Sequence, residues 1–158
     1  MLLNHLRSQS DLILTTGKTI RAERYQRSKW APIAVLTRSI ATLEHPLFTD
    51  ASEKPDPLLL VESVSTPNDS TFEIWKLEQN WTVESLLQKI DLRGFSRVLL
   101  ETGPAATKIF EPYLTEICMT YELGADVEKL IQIISQREFT LASNFTIEHE
   151  GFARFIAK

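Results

Sequence analysis

The feature that most constrains the fold is an alternation of short apolar runs with segments of helical periodicity. Apolar runs of strand length occur at DLILT (11–15), PIAVLT (32–37), PLLLVESV (57–64), TFEIWKL (71–77) and RVLLE (97–101). Near-continuous apolar runs are typical of parallel strands buried on both faces of a sheet. Their alternation with amphipathic helices predicts an α/β fold with a covered, largely parallel sheet.

The helices are predicted from apolar residues that recur at spacings of three and four. The stripes are Val83, Leu86, Leu87 and Ile90; Ala106, Ile109, Phe110 and Tyr113; and Val127, Leu130, Ile131 and Ile134. A short first helix is predicted over Leu2–Leu6, ending before Ser10, and Gly94 is a stop signal for a later one. LTEICMTYE (114–122) predicts a strand, and residues 138–158 predict two strands around a turn at Glu150-Gly151.

Composition excludes several classes of protein. At 158 residues the chain is predicted to form one domain, 1–158. A net charge of −4 disfavours nucleic-acid binding, and no apolar run is long enough for a membrane span. One cysteine, Cys118, and no signal peptide predict a cytoplasmic protein. The three histidines are scattered without ligand spacing, so we expect no metal site.

The segment DLILTTGKTIRAERY (11–25) contains the Gly-Lys-Thr that ends a nucleotide-binding P-loop. The first glycine of that motif would fall at Leu12, inside the apolar run, so the loop is too short for two phosphates. Gly17 still permits close approach of a ligand, and Lys18 and Thr19 suit an anionic one. The alternative is a plain strand-to-helix turn with a capping threonine.

A second strand end, ETGPAAT (101–107), has comparable chemistry. Gly103 would let the backbone pass close to a ligand, and Pro104 suits a first helical turn. We expect the amides of Ala105 and Ala106 to be free and Thr107 to add a hydroxyl. An ordinary capped turn, with a solvated Glu101, is the alternative here too.

Together the two segments resemble the C-terminal reductase domain of bifunctional riboflavin-biosynthesis proteins. The first resembles that family's aspartate, apolar run, Gly-x-Gly-Thr and Arg-Ala-Asp/Glu, with Asp11, Thr19 and Glu23 in register. The second, RVLLETGPAATKIF, resembles its apolar strand followed by Glu-Gly-Gly-Pro and a helix. PYLTEICMTY and the closing TIEHEGFARFIAK also resemble the corresponding stretches of the family.

The resemblance implies a dihydrofolate-reductase-like, three-layer α/β fold with helices on both faces of a largely parallel sheet. It implies an NADPH-dependent pyrimidine reductase that reduces the ribose part of an aminopyrimidine ribose phosphate, and a homodimer. The residues it implies for the cofactor are Gly17, Thr19, Glu23, Ser39, Gly103, Pro104, Ala105, Ala106 and Thr107. For the small-molecule substrate it implies Glu101, and a basic residue after Glu23, for which we take Arg27.

The chain departs from the family in two respects. It begins after the place of the family's first strand and Ser-Leu-Asp-Gly-type turn, which helps to build both pockets. Thr16, Lys18 and Thr102 stand where the family has glycine. These departures favour a second hypothesis, a non-catalytic, dimerising relative whose cofactor site is altered or lost. A partner-binding surface built on Trp30, Trp75 and Trp81 is a third interpretation, against which stands ordinary core packing.

Overall fold

In a computed structural model, the protein is described over residues 2–62, 72–122 and 126–158. The turn-forming residues STPNDS (65–70), which predict a turn between the apolar runs 57–64 and 71–77, lie outside these ranges. The chain divides into two compact units, residues 1–109 and 110–158. The strands are β1 (Leu12–Thr16), β2 (Ile33–Thr37), β3 (Leu58–Glu62), β4 (Ile74–Leu77), β5 (Val98–Leu100), β6 (Glu116–Glu122), β7 (Phe139–Ile147) and β8 (Glu150–Ala157). The α-helices are α1 (Leu2–Ser8), α2 (Gly17–Ala22), α3 (Pro46–Thr49), α4 (Val83–Leu92), α5 (Pro104–Phe110) and α6 (Val127–Ser135). Two 3-10 helices span Ile40–Glu44 and Glu111–Tyr113.

The first unit is built on a five-stranded sheet in the order β4-β3-β2-β1-β5, in which every pairing is parallel. In β1, Leu12, Ile13 and Leu14 are at most 1% exposed, as expected for a strand covered on both faces. A flanking helix, α4, buries Val83, Leu86 and Ile90. The predicted α/β fold, a parallel sheet flanked by helices, is confirmed.

Local signals set the ends of α4. The Thr82 hydroxyl accepts a hydrogen bond from the Ser85 amide, and the Ser85 hydroxyl accepts one from the Thr82 amide, which forms a capping box. After the helix, Gly94 adopts a φ of 86°, a left-handed conformation that glycine adopts without strain. The predicted helix and its stop signal are therefore confirmed.

The second unit contains a three-stranded antiparallel sheet in the order β6-β8-β7. Phe139, Ala153 and Phe155 form its buried centre, against which Ile131 and Ile134 of α6 pack. The predicted turn at Glu150-Gly151 is wrong by two residues, because the turn falls at Glu148 and His149. In this turn Glu148 takes a positive φ of 55°. Gly151 lies within β8, where it faces the ring of Tyr121.

Among the described residues, no helix is long and apolar enough to cross a membrane. Of the three tryptophans, Trp75 is buried in the first unit at 2% exposure, whereas Trp30 is 48% exposed.

Candidate functional site

The strand order creates a switch point between β1 and β5. The chain runs from β1 through β2 and β3 to β4 on one side of β1, and β5 then pairs on the other side. Leu14 lies opposite Leu100, so the segments that follow β1 and β5 leave the sheet side by side. Open α/β sheets hold ligands outside the carboxyl ends of their strands at such a switch point. Both segments that the sequence singled out therefore lie at one candidate site.

After β1 the chain turns directly into α2. The Thr16 hydroxyl caps this helix by accepting a hydrogen bond from the Thr19 amide at 3.2 Å. The hydroxyls of Thr16 and Thr19 also lie 2.9 Å apart in a hydrogen bond. The capping threonine is thus Thr16, and the Thr19 hydroxyl already has a partner. Lys18, between them, is exposed and makes no hydrogen bond or ion pair with the described residues.

Gly17 is buried, and neighbouring side chains of the protein leave no room for a side chain at this position. A Cβ at this position would lie 2.7 Å from Oγ1 of Thr37 and 3.0 Å from both Nη1 of Arg21 and Oγ1 of Thr42. Thr37 and Thr42 share a buried hydrogen bond of 2.9 Å. The close approach that Gly17 permits is therefore to the end of β2 and the 3-10 helix that follows it.

Ser39 follows β2, the other neighbour of β1 in the sheet. Its hydroxyl caps the 3-10 helix by accepting a hydrogen bond from the Ala41 amide at 3.3 Å, and its carbonyl accepts one from Thr37. Ser39 thus has a local structural role, and it lies on the β2 side of β1 rather than at the switch point.

The segment after β5 has free space around its glycine, whereas Gly17 is tightly packed. A Cβ at Gly103 would meet no atom of the described residues within 4 Å, and Gly103 is exposed. The Ala105 amide, which follows Pro104 at the start of α5, has no hydrogen-bond acceptor among the described residues. The expected free amide at Ala106 is wrong, because that N–H donates to the Gly103 carbonyl at 3.1 Å. The Thr107 hydroxyl hydrogen-bonds to the Thr102 hydroxyl at 3.0 Å, so it also has a partner.

Glu101 is held in place from two distant parts of the chain. Nε of Arg7 donates to its Oε1 at 2.7 Å, and Nη2 of Arg7 donates to its Oε2 at 2.6 Å. The Tyr25 hydroxyl donates a further short hydrogen bond to Oε2. The Glu101 carbonyl accepts from the Thr15 hydroxyl at 2.6 Å, which ties this strand end to β1.

These contacts make a partly buried cluster in which the pKa values of two side chains are shifted. The side chains of Arg7 and Glu101 are 18% and 11% exposed, and the guanidinium carbon of Arg7 lies 5.3 Å from the centre of the Tyr25 ring. The hydrogen bonds from Arg7 to Glu101 raise the pKa of Arg7 further above its ordinary value. Burial, followed by the hydrogen bond to Glu101, raises the pKa of Tyr25. Arg7 therefore stays charged and Tyr25 stays neutral around neutral pH.

A cavity of about 470 Å³ adjoins Tyr25 on the first unit, and its lining includes Glu23, Arg24, Arg27, His45 and Lys54. The side chain of Arg27 forms part of the cavity wall. It is held in place because its Nε donates to the Leu47 carbonyl at 3.0 Å and its Nη1 pairs with Asp56 at 2.7 Å. Glu23 ends α2 and is exposed. The remaining basic side chains of the lining, Arg24 and Lys54, are exposed.

The structure thus divides the predicted residues into three places. Gly17, Thr19, Glu101 and Gly103–Thr107 lie at the ends of β1 and β5, Glu23 and Arg27 line the cavity, and Ser39 follows β2. Tyr25 connects the cavity to the switch point, since it lines the cavity and bonds to Glu101. Sequence reasoning missed Arg7 and Tyr25, because no local spacing relates them to Glu101, which is 94 and 76 residues away.

Within the described ranges, the remaining metal-binding and nucleophilic side chains do not form a site. Among the described residues, no three His, Cys, Asp or Glu side chains are grouped as ligands for a metal. The thiol of Cys118 donates to a carboxylate oxygen of Glu116 at 3.1 Å. Burial and this hydrogen bond raise the pKa of the Cys118 thiol to about 11, so it is protonated and a poor nucleophile at neutral pH.

Comparison of the chain with protein-family models and with curated protein sequences finds no match. Solved structures do resemble it. A pyrimidine reductase-like protein from Corynebacterium diphtheriae superposes with a TM-score of 0.76 at 16% identity, over 99% of this chain and 79% of that one.

Two bifunctional proteins are also similar. Acinetobacter baumannii RibD matches with a TM-score of 0.70 at 16% identity, over 99% of this chain and 49% of that one. A diaminohydroxyphosphoribosylaminopyrimidine deaminase/5-amino-6-(5-phosphoribosylamino)uracil reductase from Thermotoga maritima matches with a TM-score of 0.67 at 14% identity, over 99% and 48%. The chain therefore spans about half the length of these two proteins. At such identities the likeness establishes the fold, which is dihydrofolate-reductase-like.

Proposed function

We propose that this chain is an NADPH-dependent reductase acting on the ribose part of an aminopyrimidine ribose phosphate. The observation that carries the proposal is the open Gly103 segment at the switch point, directly after the fixed carboxylate of Glu101. The solved structures that share the fold include pyrimidine reductases of riboflavin biosynthesis, which supports the same chemistry here.

The Gly103 side of the site suits the cofactor better than the Gly17 side. At Gly103 none of the described side chains prevents a phosphate from approaching the backbone, and the Ala105 amide is available to donate a hydrogen bond to it. Lys18, exposed after the neighbouring strand, would supply a positive charge. Gly17 and Thr19 would support the site by shaping this edge, since their own contacts are already made within the protein.

For the substrate, Glu101 would act as a pre-oriented acceptor. A carboxylate has about four lone-pair positions, of which Arg7 and Tyr25 occupy three, so one remains for an amino or hydroxyl group. Arg24 and Lys54 would attract the phosphate of the substrate into the adjoining cavity. Charged groups held by their own hydrogen bonds need little rearrangement when a ligand binds.

When bound, NADPH supplies the hydride that converts the ribose part of the substrate to a ribityl chain. The residues of the chain orient the two ligands and exclude water. Hydride transfer of this kind requires no nucleophile from the protein. The protonated thiol of Cys118 agrees with that requirement.

The second candidate is a non-catalytic relative of this family whose cofactor site is altered or lost. It is favoured by the filled space at Gly17 and by the partners that Thr19 and Thr107 already have. Under this hypothesis the Arg7–Glu101–Tyr25 cluster is only a structural connection between α1, β5 and the segment after α2.

Titration with NADPH, followed by nicotinamide fluorescence, tests the proposal. We expect saturable binding that weakens in Gly103→Ala and is lost in Gly103→Val, because the added carbon atoms occupy the approach to the backbone. Since a Cβ at Gly103 meets no atom of the described residues, both variants should unfold like the wild type, and a loss of binding would report on the ligand alone. Absence of NADPH binding at millimolar concentration would contradict the proposal.

An oxidation assay then separates the two candidates. The aminopyrimidine ribose phosphate is added to protein saturated with NADPH, and the loss of nicotinamide absorbance is followed. Oxidation that depends on the substrate supports the reductase, whereas binding of NADPH without oxidation supports the non-catalytic relative.

A further inference from the structure

The carboxylate of Glu101 is occupied unequally at its two oxygens. Oε2 accepts hydrogen bonds from Nη2 of Arg7, at 2.6 Å, and from the Tyr25 hydroxyl. Oε1 accepts one from Nε of Arg7, at 2.7 Å. Since a carboxylate oxygen has about two lone-pair positions, Oε2 is full, and Oε1 keeps one position without a donor among the described residues. The free acceptor position of this carboxylate therefore lies on Oε1.

Among the described side chains, that of Tyr25 makes the two oxygens different. Arg7 places one donor on each oxygen, which is a symmetric, bidentate contact. The Tyr25 hydroxyl adds a third donor, and it does so on Oε2. Without that hydroxyl each oxygen would keep one free position, and the carboxylate could accept a substrate donor in two ways.

Tyr25 is fixed well enough to maintain this difference. It is 7% exposed and belongs to a buried cluster that includes Ile20 and Leu47. Its backbone amide donates to the Glu23 carbonyl at 2.8 Å. A tyrosine side chain has few torsions, so a packed ring directs its hydroxyl at one point.

Tyr25 also reaches the cavity in which the proposed substrate phosphate would bind. It lines that cavity together with the exposed basic side chains of Arg24 and Lys54. Loss of the hydroxyl would therefore free an acceptor position on Oε2 beside the cavity, where a bound ligand can reach it.

The Tyr25 hydroxyl is suited to orienting the carboxylate and not to supplying a proton. Burial, followed by the hydrogen bond to Glu101, raises the pKa of Tyr25 above its ordinary value. Efficient general acids have a pKa near the working pH, and this hydroxyl is far above it. Its proton is moreover already donated to Oε2 of Glu101.

We propose that Tyr25 is a positioning residue of the reductase: its hydroxyl fills Oε2 of Glu101 and so directs an N–H or O–H donor of the substrate to Oε1. The inference rests on the proposed function, since it concerns the same carboxylate. One free acceptor position permits one orientation of the ribose part, whereas two positions permit a second orientation that does not react. Orientation of this kind is a principal means by which an enzyme without a nucleophile accelerates its reaction.

The variant Tyr25→Phe, assayed for substrate-dependent oxidation of saturating NADPH, tests the proposal. Unproductive binding removes enzyme from the reaction without changing the barrier from free enzyme and substrate, so kcat and KM should fall by the same factor and kcat/KM should stay constant. Two equally occupied orientations would lower both kcat and KM about twofold. The variant keeps the buried ring, and Glu101 keeps both donors of Arg7, so we expect it to fold, which urea denaturation checks.

The matched control is Tyr121→Phe. It makes the same chemical change in the second unit, where the Tyr121 hydroxyl donates to Oδ1 of Asn144 at 2.6 Å. Both kcat and KM should equal those of the wild type, because Tyr121 has no contact with Glu101.

The variant Glu101→Gln tests the assignment of the free position to Oε1. An amide has one acceptor oxygen, which we expect at the place of Oε2, where Arg7 and Tyr25 both donate. The amide NH2 then replaces Oε1 and faces the donor of the substrate, so kcat/KM should fall at least about tenfold.

The outcomes separate this inference from the proposed function. A wild type that does not oxidise NADPH with the substrate would overturn the reductase and the role of Tyr25 with it. In an active wild type, unchanged kcat and KM in Tyr25→Phe, or a lower kcat/KM, would overturn the positioning role alone. Full activity of Glu101→Gln would also overturn it.

Discussion

Replacing Arg7 by methionine is the most informative perturbation of the candidate site. Arg7 holds the carboxylate of Glu101 with two charge-assisted hydrogen bonds, 2.7 and 2.6 Å long, in a cluster where Glu101 is 11% exposed. Methionine keeps much of the length of the stem and removes the guanidinium. Glu101 would then retain the Tyr25 hydroxyl as its side-chain donor.

The expected cost follows from the partial burial of the pair. A hydrogen bond to a charged group contributes about 1.5–3 kcal/mol, and breaking a fully buried pair costs about 3–5 kcal/mol. Since some water reaches both side chains, we expect Arg7→Met to lower the free energy of unfolding by about 2–3 kcal/mol. That is a large share of the stability of about 5–15 kcal/mol that is typical of such proteins.

Urea denaturation followed by far-ultraviolet circular dichroism measures this change. The matched control is Arg137→Met, which removes a single 3.3 Å contact with Glu111 from an arginine side chain that is 58% exposed. Exposed pairs contribute about 0–1 kcal/mol, so the control should be nearly neutral. A double-mutant cycle of Arg7→Met with Glu101→Gln should give a coupling energy of about 1.5–3 kcal/mol. Equal losses in Arg7→Met and Arg137→Met, or a coupling energy near zero, would refute the assignment of Arg7 as the residue that fixes Glu101.

Three further predictions concern single positions. Gly17→Ala should destabilise the protein by about 1–3 kcal/mol in urea denaturation, since its Cβ would lie 2.7 Å from Thr37, and a variant as stable as the wild type would contradict that packing. Gly151→Ala should lower the free energy of unfolding more than Gly17→Ala does, because the new Cβ would lie 2.0 Å from a ring carbon of Tyr121. In a Tyr121→Ala background, Gly151→Ala should cost less stability than it does in the wild type. Hydrogen bonds from the Ser96 hydroxyl and nearby amides lower the pKa of Asp11. The contribution of Asp11 to folding stability is therefore present above the ordinary pKa of 3.8 and is lost as pH falls through the lowered pKa. Asp11→Asn should therefore be less stable than the wild type at neutral pH, with a gap that narrows in acid; a gap independent of pH would contradict this.

The alternation of apolar runs and helical stripes was sufficient to predict the parallel sheet, because buried parallel strands and amphipathic helices are local patterns. Leu12, which the sequence placed inside a strand and not in a phosphate loop, is fully buried in β1. The turn before β8 was misplaced because a glycine was expected to mark it. Glu148 takes the positive φ instead, and Gly151 is needed where the Tyr121 ring packs on the strand.

The candidate site was predicted only in part, and its missing parts are long-range. Nothing near Arg7 in the sequence indicates a partner 94 residues away. The reason why position 17 requires glycine was also misjudged. A glycine that lets a ligand approach and one that lets Thr37 pack closely cannot be distinguished in the sequence. Gly103 is the position where the expected open approach and the structure agree.

Amide chemical shifts of the nitrogen-15-labelled chain test whether the switch point between β1 and β5 holds NADPH. Titration with NADPH should shift the amide signals of Lys18, Gly103 and Ala105 together, with one dissociation constant, and should leave those of α4 unchanged. Saturable shifts confined to another part of the chain, or no shifts at millimolar NADPH, would contradict the account.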